Sequence, residues 1–172
     1  MPHVYDKAKY HDDSCLKGRL PDGQSFVHTG LFVAWLVNHD LVKTSPGYDD
    51  WVIANCKARL GAPTGYYEWN DGVLLDEMLT DEGNAFAQSY FDFENGQYLA
   101  DYGLYVAFGL PSVFQVPNTW EAYNLVESFV DARYRQFKGE DVPMPPEPTR
   151  APLKRVRMVL RWPWRRSRLG PE

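Results

Sequence analysis

The stretch that decides the fold is SFVHTGLFVAWLVNHDLV, residues 25–42. Its centre, from Leu31 to Val37, is apolar on nearly every side, and the apolar residues around it recur at spacings of three and four. A helix with this pattern is usually buried on most of its surface. The sequence therefore predicts a central helix that Ser25 caps and that runs to about Val42.

Weaker signals flank this helix on both sides. The first 23 residues are polar and end in the turn signal Leu20-Pro21-Asp22-Gly23, and Thr44-Ser45-Pro46-Gly47 follows the helix. An aromatic loop or short turn is predicted over 66–72 and an extended piece over 113–116. Further helices are predicted over residues 48–60, 73–79, 80–93, 98–106 and 118–138. The fold class is therefore mainly α, a single compact domain of five or six helices with the central and last helices as its core pair.

Helix-capping signals support two of these predicted starts. Thr80 can cap the helix that follows it, with Asp81 and Glu82 in its first turn. Asn118-Thr119-Trp120-Glu121 resembles a capping box, with Asn118 as the cap and Glu121 at the third helical position. Both signals place a helix start within a residue or two.

Charge divides the chain into an acidic body and a basic tail. Residues 1–146 contain 10 Lys and Arg against 21 Asp and Glu, whereas residues 147–172 contain 8 against 2. Four prolines within Val142–Pro148 exclude helix and favour a stiff spacer. We therefore divide the chain into an acidic helical domain (1–141), a Pro-rich spacer (142–149) and a basic tail (150–172). Such asymmetry is typical of an interaction surface.

Localisation is expected to be cytoplasmic. Cys15 and Cys56 are the only cysteines and have no CxxC or Cys/His partner, which is typical of free thiols in a reducing compartment. The first residues lack the apolar run of a secretory signal, and no apolar run approaches the roughly 20 residues that cross a bilayer.

Catalytic and metal-binding motifs are weak. His11 lies beside Asp12 and Asp13, and His28 lies at the start of the central helix, so a small enzyme could use this region for acid–base chemistry. The four histidines show no HExxH or HxH spacing, and no GxSxG, Walker or GxGxxG pattern occurs. We predict no catalytic residue, no metal and no cofactor. His28 is expected to be a partly buried histidine that hydrogen-bonds the N-terminal segment.

The basic tail is predicted to form an amphipathic helix followed by a Trp-Pro-Trp turn. It could fold back onto the acidic body, bind a partner, an anionic membrane or nucleic acid, or be disordered. The residues predicted to make these contacts are Arg155, Arg157, Arg161, Trp162, Trp164, Arg165 and Arg166.

A partner-binding surface is predicted on the body. Acidic side chains cluster on both sides of Thr80, and an aromatic segment precedes them, which suits a basic protein partner or simple solvation of the acids. The predicted contact residues are Asp76, Glu77, Asp81, Glu82, Tyr66, Tyr67 and Trp69.

Four separated motifs carry a resemblance over roughly residues 4–138. They are Tyr5-Asp6-x-Ala8-x-Tyr10-His11, His28-x-Gly30-x4-Trp35, Leu79-Thr80-x-Glu82-Gly83-Asn84-Ala85-Phe86 and Val116-x-Asn118-Thr119-Trp120-Glu121-x-Tyr123. Together they resemble a family of small bacterial proteins of no settled activity, in which Asp is expected where Asn118 stands. These proteins are similar in size and setting to the immunity proteins of polymorphic toxin systems. The basic tail lies outside the resemblance.

The resemblance and the acidic body together imply an interaction protein. The leading hypothesis is an immunity-type inhibitor that binds a cognate toxin domain, most plausibly a basic one, and occludes its cleft. The alternatives are a small enzyme built around His11, Asp12, Asp13 and His28, or a peripheral membrane protein attached through its tail. The sequence does not specify an oligomeric state.

Overall fold

The computed structural model describes residues 2–92 and 96–149, with helix α2 (Val27–Asn38) at their centre. Every residue of α2 from Val27 to Val37 is buried. Burying each Leu, Val or Phe side chain contributes about 1.5–3 kcal/mol, so this helix supplies a large share of the core free energy. The predicted central helix is confirmed.

The other helices surround α2. They are α1 (Asp12–Lys17), α3 (Asp50–Lys57), α4 (Gly65–Trp69), α5 (Asp81–Tyr90), α6 (Tyr98–Tyr105) and α7 (Trp120–Phe137). Strands β1 (Val4–Lys7) and β2 (Val73–Leu75) pair antiparallel, with Lys7 opposite Val73 and a register irregularity near Val4. The predicted mainly helical, compact fold is confirmed.

Helices α4 and α7 pack directly on α2. The indole of Trp35 in α2 donates a 2.7 Å hydrogen bond to the Asp131 carboxylate in α7. On another side, a Cβ built on Gly30 would lie 2.6 Å from the Thr64 methyl, so the absence of a side chain at Gly30 lets the start of α4 approach α2. The predicted contact between the central and last helices is present.

The central helix is shorter than predicted at both ends. A 3₁₀ turn over Gln24–Phe26 precedes it, and Phe26, not Ser25, occupies the cap position. At the other end, Asp40 adopts φ 57°, which ends the helix, and Val42 instead forms a β-bridge with Leu79. Backbone pairing with the segment before α5 therefore replaces the last predicted turn.

Several other local predictions were wrong. The 1–23 segment contains β1 and α1, 66–72 begins with the short helix α4, and 113–116 contains a 3₁₀ turn over Val113–Gln115. Residues 73–79 form β2 and a 3₁₀ turn instead of a helix, because pairing with β1 satisfies their backbone groups.

The two predicted caps had different outcomes. Thr80 caps α5, its hydroxyl accepting a hydrogen bond from the Gly83 amide. At α7 the cap is Thr119, which accepts from the Ala122 amide, whereas the Asn118 side chain donates a 2.7 Å hydrogen bond to the Thr64 hydroxyl. Asn118 therefore ties α7 to the start of α4 instead of capping its own helix.

The Pro-rich segment lies against the helical body. Residues 142–149 contain neither helix nor strand, and Met144 packs on the core. The Gln136 side chain donates to the Val142 carbonyl at 2.8 Å, and the Tyr105 hydroxyl donates to the Pro145 carbonyl at 3.1 Å. The predicted basic tail begins at residue 150 and lies outside the described residues.

Within the described part of the chain, no helix combines the length and the apolar character needed to cross a bilayer.

Candidate functional site

Three aromatic side chains form an exposed cluster where α3 meets α4. The exposed fractions of Tyr48, Trp51 and Trp69 are 61%, 54% and 38%. Their rings are in contact, since the Trp51 and Trp69 centroids lie 5.1 Å apart and those of Tyr48 and Trp69 lie 5.5 Å apart. Large contiguous apolar side chains in water are a mark of an interaction site. We call these three residues the aromatic cluster.

Two open hollows with acidic linings lie on the surface, one beside α4 and one beside α1. One, of about 440 Å³, is lined by Asp22, Glu68 and Asp71 together with apolar and amide groups. The other, of about 380 Å³, shares the Asp22–Gln24 turn with the first and is also lined by Asp12 and Asp13. Neither lining contains Lys or Arg. We call Asp12, Asp13, Asp22, Glu68 and Asp71 the acidic rim.

The acidic rim differs in its pairing from the acids on other faces. Asp40, Glu82, Glu127 and Glu140 each form an ion pair with a Lys or Arg of the body. Among the described residues, no member of the acidic rim forms such a pair. Its carboxylates are therefore not held in salt bridges and are open to the basic side chains of a partner.

The predicted acidic contact residues lie elsewhere, around β2 and α5. Glu77 and Asp81 are exposed, whereas Asp76 is half-buried and accepts a hydrogen bond from the His3 amide. Glu82 is exposed but is engaged by Lys138 and by the Tyr134 hydroxyl, and these hydrogen bonds lower the pKa of its carboxyl. These four side chains are not on the acidic rim.

Of the three aromatic residues predicted to contact a partner, two lie in the core and one on the surface. Tyr67 is fully buried and the exposed fraction of Tyr66 is 3%, so neither side chain is available to a partner. Their neighbour Trp69 belongs to the aromatic cluster. We therefore remove Tyr66 and Tyr67 from the predicted surface. The seven predicted tail residues, Arg155, Arg157, Arg161, Trp162, Trp164, Arg165 and Arg166, lie outside the described residues.

A second group of interest is buried where β1 meets α2. Asp6 of β1 lies 2.9 Å from His11 Nε2 through its Oδ1, and 3.7 Å from His28 Nε2 through its Oδ2. The two imidazoles meet edge to face, with ring centroids 4.5 Å apart. Asp6 and His28 are buried, and the His11 side chain is 18% exposed. We call these residues the Asp–His–His group.

Other side chains orient this group. The Thr29 hydroxyl donates to Asp6 Oδ2, and the Tyr67 hydroxyl lies beside Asp6 and Thr29 without a well-formed hydrogen bond. Phe114 packs on both imidazoles, with centroids 5.4 Å from His11 and 5.5 Å from His28.

Burial sets the protonation states within the group. It lowers the pKa of His28 to about 4, against the opposing charge of Asp6, so His28 is neutral near pH 7. Burial alone would raise the pKa of Asp6, but hydrogen bonds from His11 and Thr29 and the nearby histidine charges outweigh it and lower that pKa. A neutral imidazole and a carboxylate therefore face each other.

The sequence identified the histidines of this group but not its carboxylate. Asp12 and Asp13, which are adjacent to His11 in sequence, point into a surface hollow instead. His28 does face the N-terminal segment, but at 3.7 Å from Asp6 it is too far for a hydrogen bond, and its Nδ1 has no hydrogen-bond partner among the described residues. The only sequence signal for Asp6 was its place in the Tyr5-Asp6-x-Ala8 motif.

The chain belongs to the family described as a domain of unknown function, DUF7832, whose sequence model matches residues 4–116. That range contains the Asp–His–His group, the aromatic cluster and the acidic rim, and it stops before α7. No curated protein and no solved structure matches the chain.

Proposed function

We propose that this protein is an interaction module, an immunity-type inhibitor that binds a basic toxin domain in the cytoplasm and occludes its functional cleft. The observation that carries the proposal is the position of the exposed aromatic cluster beside the unpaired acidic rim. Helix α4 connects the two, because Trp69 belongs to the cluster and the preceding Glu68 belongs to the rim.

The aromatic cluster has the composition of a binding hot spot. Trp and Tyr are enriched among the residues that dominate binding energy, because each buries a large area and loses little side-chain entropy. Tyr48, Trp51 and Trp69 also contact one another in the free protein. Part of the side-chain entropy that ordering these rings costs is therefore lost on folding and not on binding.

The acidic rim indicates that the proposed partner carries a basic surface. Unpaired carboxylates around an open hollow attract Lys and Arg side chains and accelerate encounter with a basic protein. Toxins that grip nucleic acid carry such basic surfaces. An inhibitor with this surface would cover the residues that such a toxin needs for its substrate.

The enzyme alternative is less well supported by the geometry. Asp12 and Asp13 line a surface hollow, and the carboxylate that faces both histidines, Asp6, has a fully buried side chain. Within the Asp–His–His group the His11 side chain is 18% exposed and the other two are buried, which leaves little room for an organic substrate. Membrane or nucleic-acid binding through the tail remains a separate proposal, because it rests on residues 150–172.

The proposal is tested by co-expressing the chain in bacteria with each basic toxin domain encoded beside its gene. We expect the wild-type chain to restore growth against one of them. The Trp51→Ala/Trp69→Ala double variant should fail, since losing a hot-spot aromatic costs at least about 2 kcal/mol, or roughly thirtyfold in Kd. Tyr10→Ala is the matched control, because Tyr10 is as exposed as Tyr48 and lies away from the cluster.

Two outcomes of this experiment would count against the proposal. Absence of rescue by the wild-type chain with every neighbouring toxin would remove the inhibitor function. Full rescue by the double variant, in cells that contain equal amounts of both proteins, would remove the aromatic cluster from the binding surface.

The acidic rim is tested separately by the affinity for the toxin that is neutralised. We expect Glu68→Gln/Asp71→Asn to weaken the complex and to reduce its sensitivity to salt, because screened attraction between opposite charges is lost. Glu77→Gln/Asp81→Asn is the control, since it removes the same charge from exposed acids near β2 and α5. A larger loss of affinity in the control variant would place the binding surface around Glu77 and Asp81 instead.

A further inference from the structure

The Asp–His–His group has the composition and spacing of a metal site. Within the described part of the chain it is the one group of three potential ligands whose donor atoms all lie within 4.8 Å of one another. Two ligand atoms of one tetrahedral zinc ion, each about 2.0–2.2 Å from the metal, are separated by roughly 3.3 Å. The shortest contacts of the Asp6 carboxylate come from its two different oxygens, Oδ1 to His11 Nε2 at 2.9 Å and Oδ2 to His28 Nε2 at 3.7 Å, and both are close to that value.

The buried carboxylate has no permanent counter-charge among the described residues. The side chain of Asp6 is fully buried, and the ion pairs it forms there are with His11 and His28 only. A buried carboxylate is costly unless a positive charge or a metal ion accompanies it.

Hydrogen bonding does not account for the position of His28 either. Within residues 2–92 and 96–149 its Nδ1 has no hydrogen-bond partner, and its Nε2 lies beyond hydrogen-bond distance of Asp6. Coordination of Nε2 to an ion held jointly with Asp6 and His11 would explain why an imidazole is buried at this point.

We propose that Asp6, His11 and His28 bind a divalent transition-metal ion of the kind that imidazole favours, with Zn²⁺ as the representative ion. Two nitrogen ligands and one carboxylate oxygen suit this class of metal and leave a fourth position for water. Thr29 is the outer-shell residue that orients the Asp6 carboxylate, and the partly exposed edge of His11 is the entry route. This inference is independent of the proposed inhibitor function.

The experiment uses the full chain without an affinity tag, stripped of metal by a chelator. Calorimetric titration with Zn²⁺ is expected to show one equivalent bound, and Co²⁺ is expected to give the visible absorption of a low-symmetry nitrogen and oxygen site. Asp6→Asn and His11→Ala should each weaken Zn²⁺ binding by more than about 100-fold, since loss of even an outer-shell partner typically costs 10–100-fold.

His39→Ala is the matched control. His39 is also paired with a carboxylate, at 3.1 Å from Asp131, but that pair lacks a third ligand. Its removal should leave the Zn²⁺ titration unchanged. Circular dichroism of the metal-free variants establishes that each one is folded.

The proposal is overturned if the wild-type chain binds no Zn²⁺ at one equivalent and gives no Co²⁺ absorption. It is also overturned if folded His11→Ala binds Zn²⁺ as tightly as the wild type. Should both ligand variants fail to fold, the Co²⁺ spectrum of the wild-type chain alone decides the question.

Discussion

At the scale of single residues, His28 combines deep burial with an incomplete set of hydrogen bonds. Tyr102 and Phe114 pack around it, and Asp6 is the nearest charge. A buried polar group without a partner costs about 1–3 kcal/mol, so a substitution that fitted the space without polar atoms could raise stability.

The lowered pKa of His28 predicts how stability depends on pH in the absence of metal. Between about pH 6.5 and pH 4 the unfolded chain protonates this imidazole and the folded chain does not, so the free energy of unfolding falls as the pH falls. A shift from 6.5 to about 4 corresponds to roughly 3 kcal/mol across that interval. The free energy of unfolding is measured by urea denaturation of wild type and His28→Gln, with chelator present. It should depend less steeply on pH in the variant.

His39 is a control because its pKa is shifted in the opposite direction from that of His28. Burial would lower its pKa, but hydrogen bonds with Asp131 and the Trp35 carbonyl outweigh burial and raise it. Its stabilising contribution is therefore present below about pH 6.5 and lost as the pH rises through the folded pKa. His39→Gln should steepen the loss of stability on acidification, and a flattening in His39→Gln would contradict this assignment.

At the scale of elements, the contact between α2 and α4 depends on a missing side chain. A Cβ at Gly30 would lie 2.6 Å from the Thr64 methyl and 2.9 Å from its Cβ, which is closer than real Cβ atoms approach. Thr64 also accepts a hydrogen bond from Asn118, so it cannot move away without disturbing the start of α7. Helix α4, which carries Trp69 and Glu68, is positioned by this contact.

Gly30→Ala is therefore expected to lower the free energy of unfolding by about 1–3 kcal/mol, the usual cost of overpacking. Gly103→Ala is the control, because Gly103 lies within α6 and a Cβ there would meet nothing within 4 Å. Replacing a helical glycine of that kind by alanine stabilises by roughly 0.5–1 kcal/mol. Chemical denaturation measures the free energy of unfolding of both variants. Equal effects of the two substitutions would contradict the close approach of α4 to α2 at Gly30.

Local sequence signals identified the long elements but not the short ones. The apolar run of α2, the Thr80 cap of α5 and the stripe of α7 each lie within one segment, so their periodicity could be read directly. Strands β1 and β2 have only four and three residues and are stabilised by pairing across nearly 70 positions. No local pattern specifies such a pair.

The same reason explains why the Asp–His–His group was not predicted. Its ligands come from β1, from the residue before α1 and from the first turn of α2, so their linear spacing follows no metal-binding motif. Only the β1–β2 pairing and the packing of β1 beside α2 bring Asp6 to the histidines. The aromatic cluster likewise joins residues from the turn before α3, from α3 and from α4.

At the scale of the whole molecule, charge is distributed unevenly over the described surface. Five of the ten Lys and Arg of residues 1–146 form ion pairs with acids outside the acidic rim, namely Lys57–Asp40, Arg59–Glu127, Arg133–Asp101, Arg135–Glu140 and Lys138–Glu82. Among the described residues, no member of the acidic rim forms such a pair. Exposed ion pairs contribute only about 0–1 kcal/mol each to stability. Their main consequence is that the acids of the acidic rim are left without a basic partner.

Stoichiometry tests most directly whether this protein acts by binding. A toxin domain that the chain neutralises is assayed for activity against increasing concentrations of the chain, with toxin well above the Kd of the complex. We predict a linear fall in activity that ends at one chain per toxin and that is lost in Trp51→Ala/Trp69→Ala. Complete loss of toxin activity at a small fraction of one equivalent, increasing with incubation time, would show turnover and contradict the account.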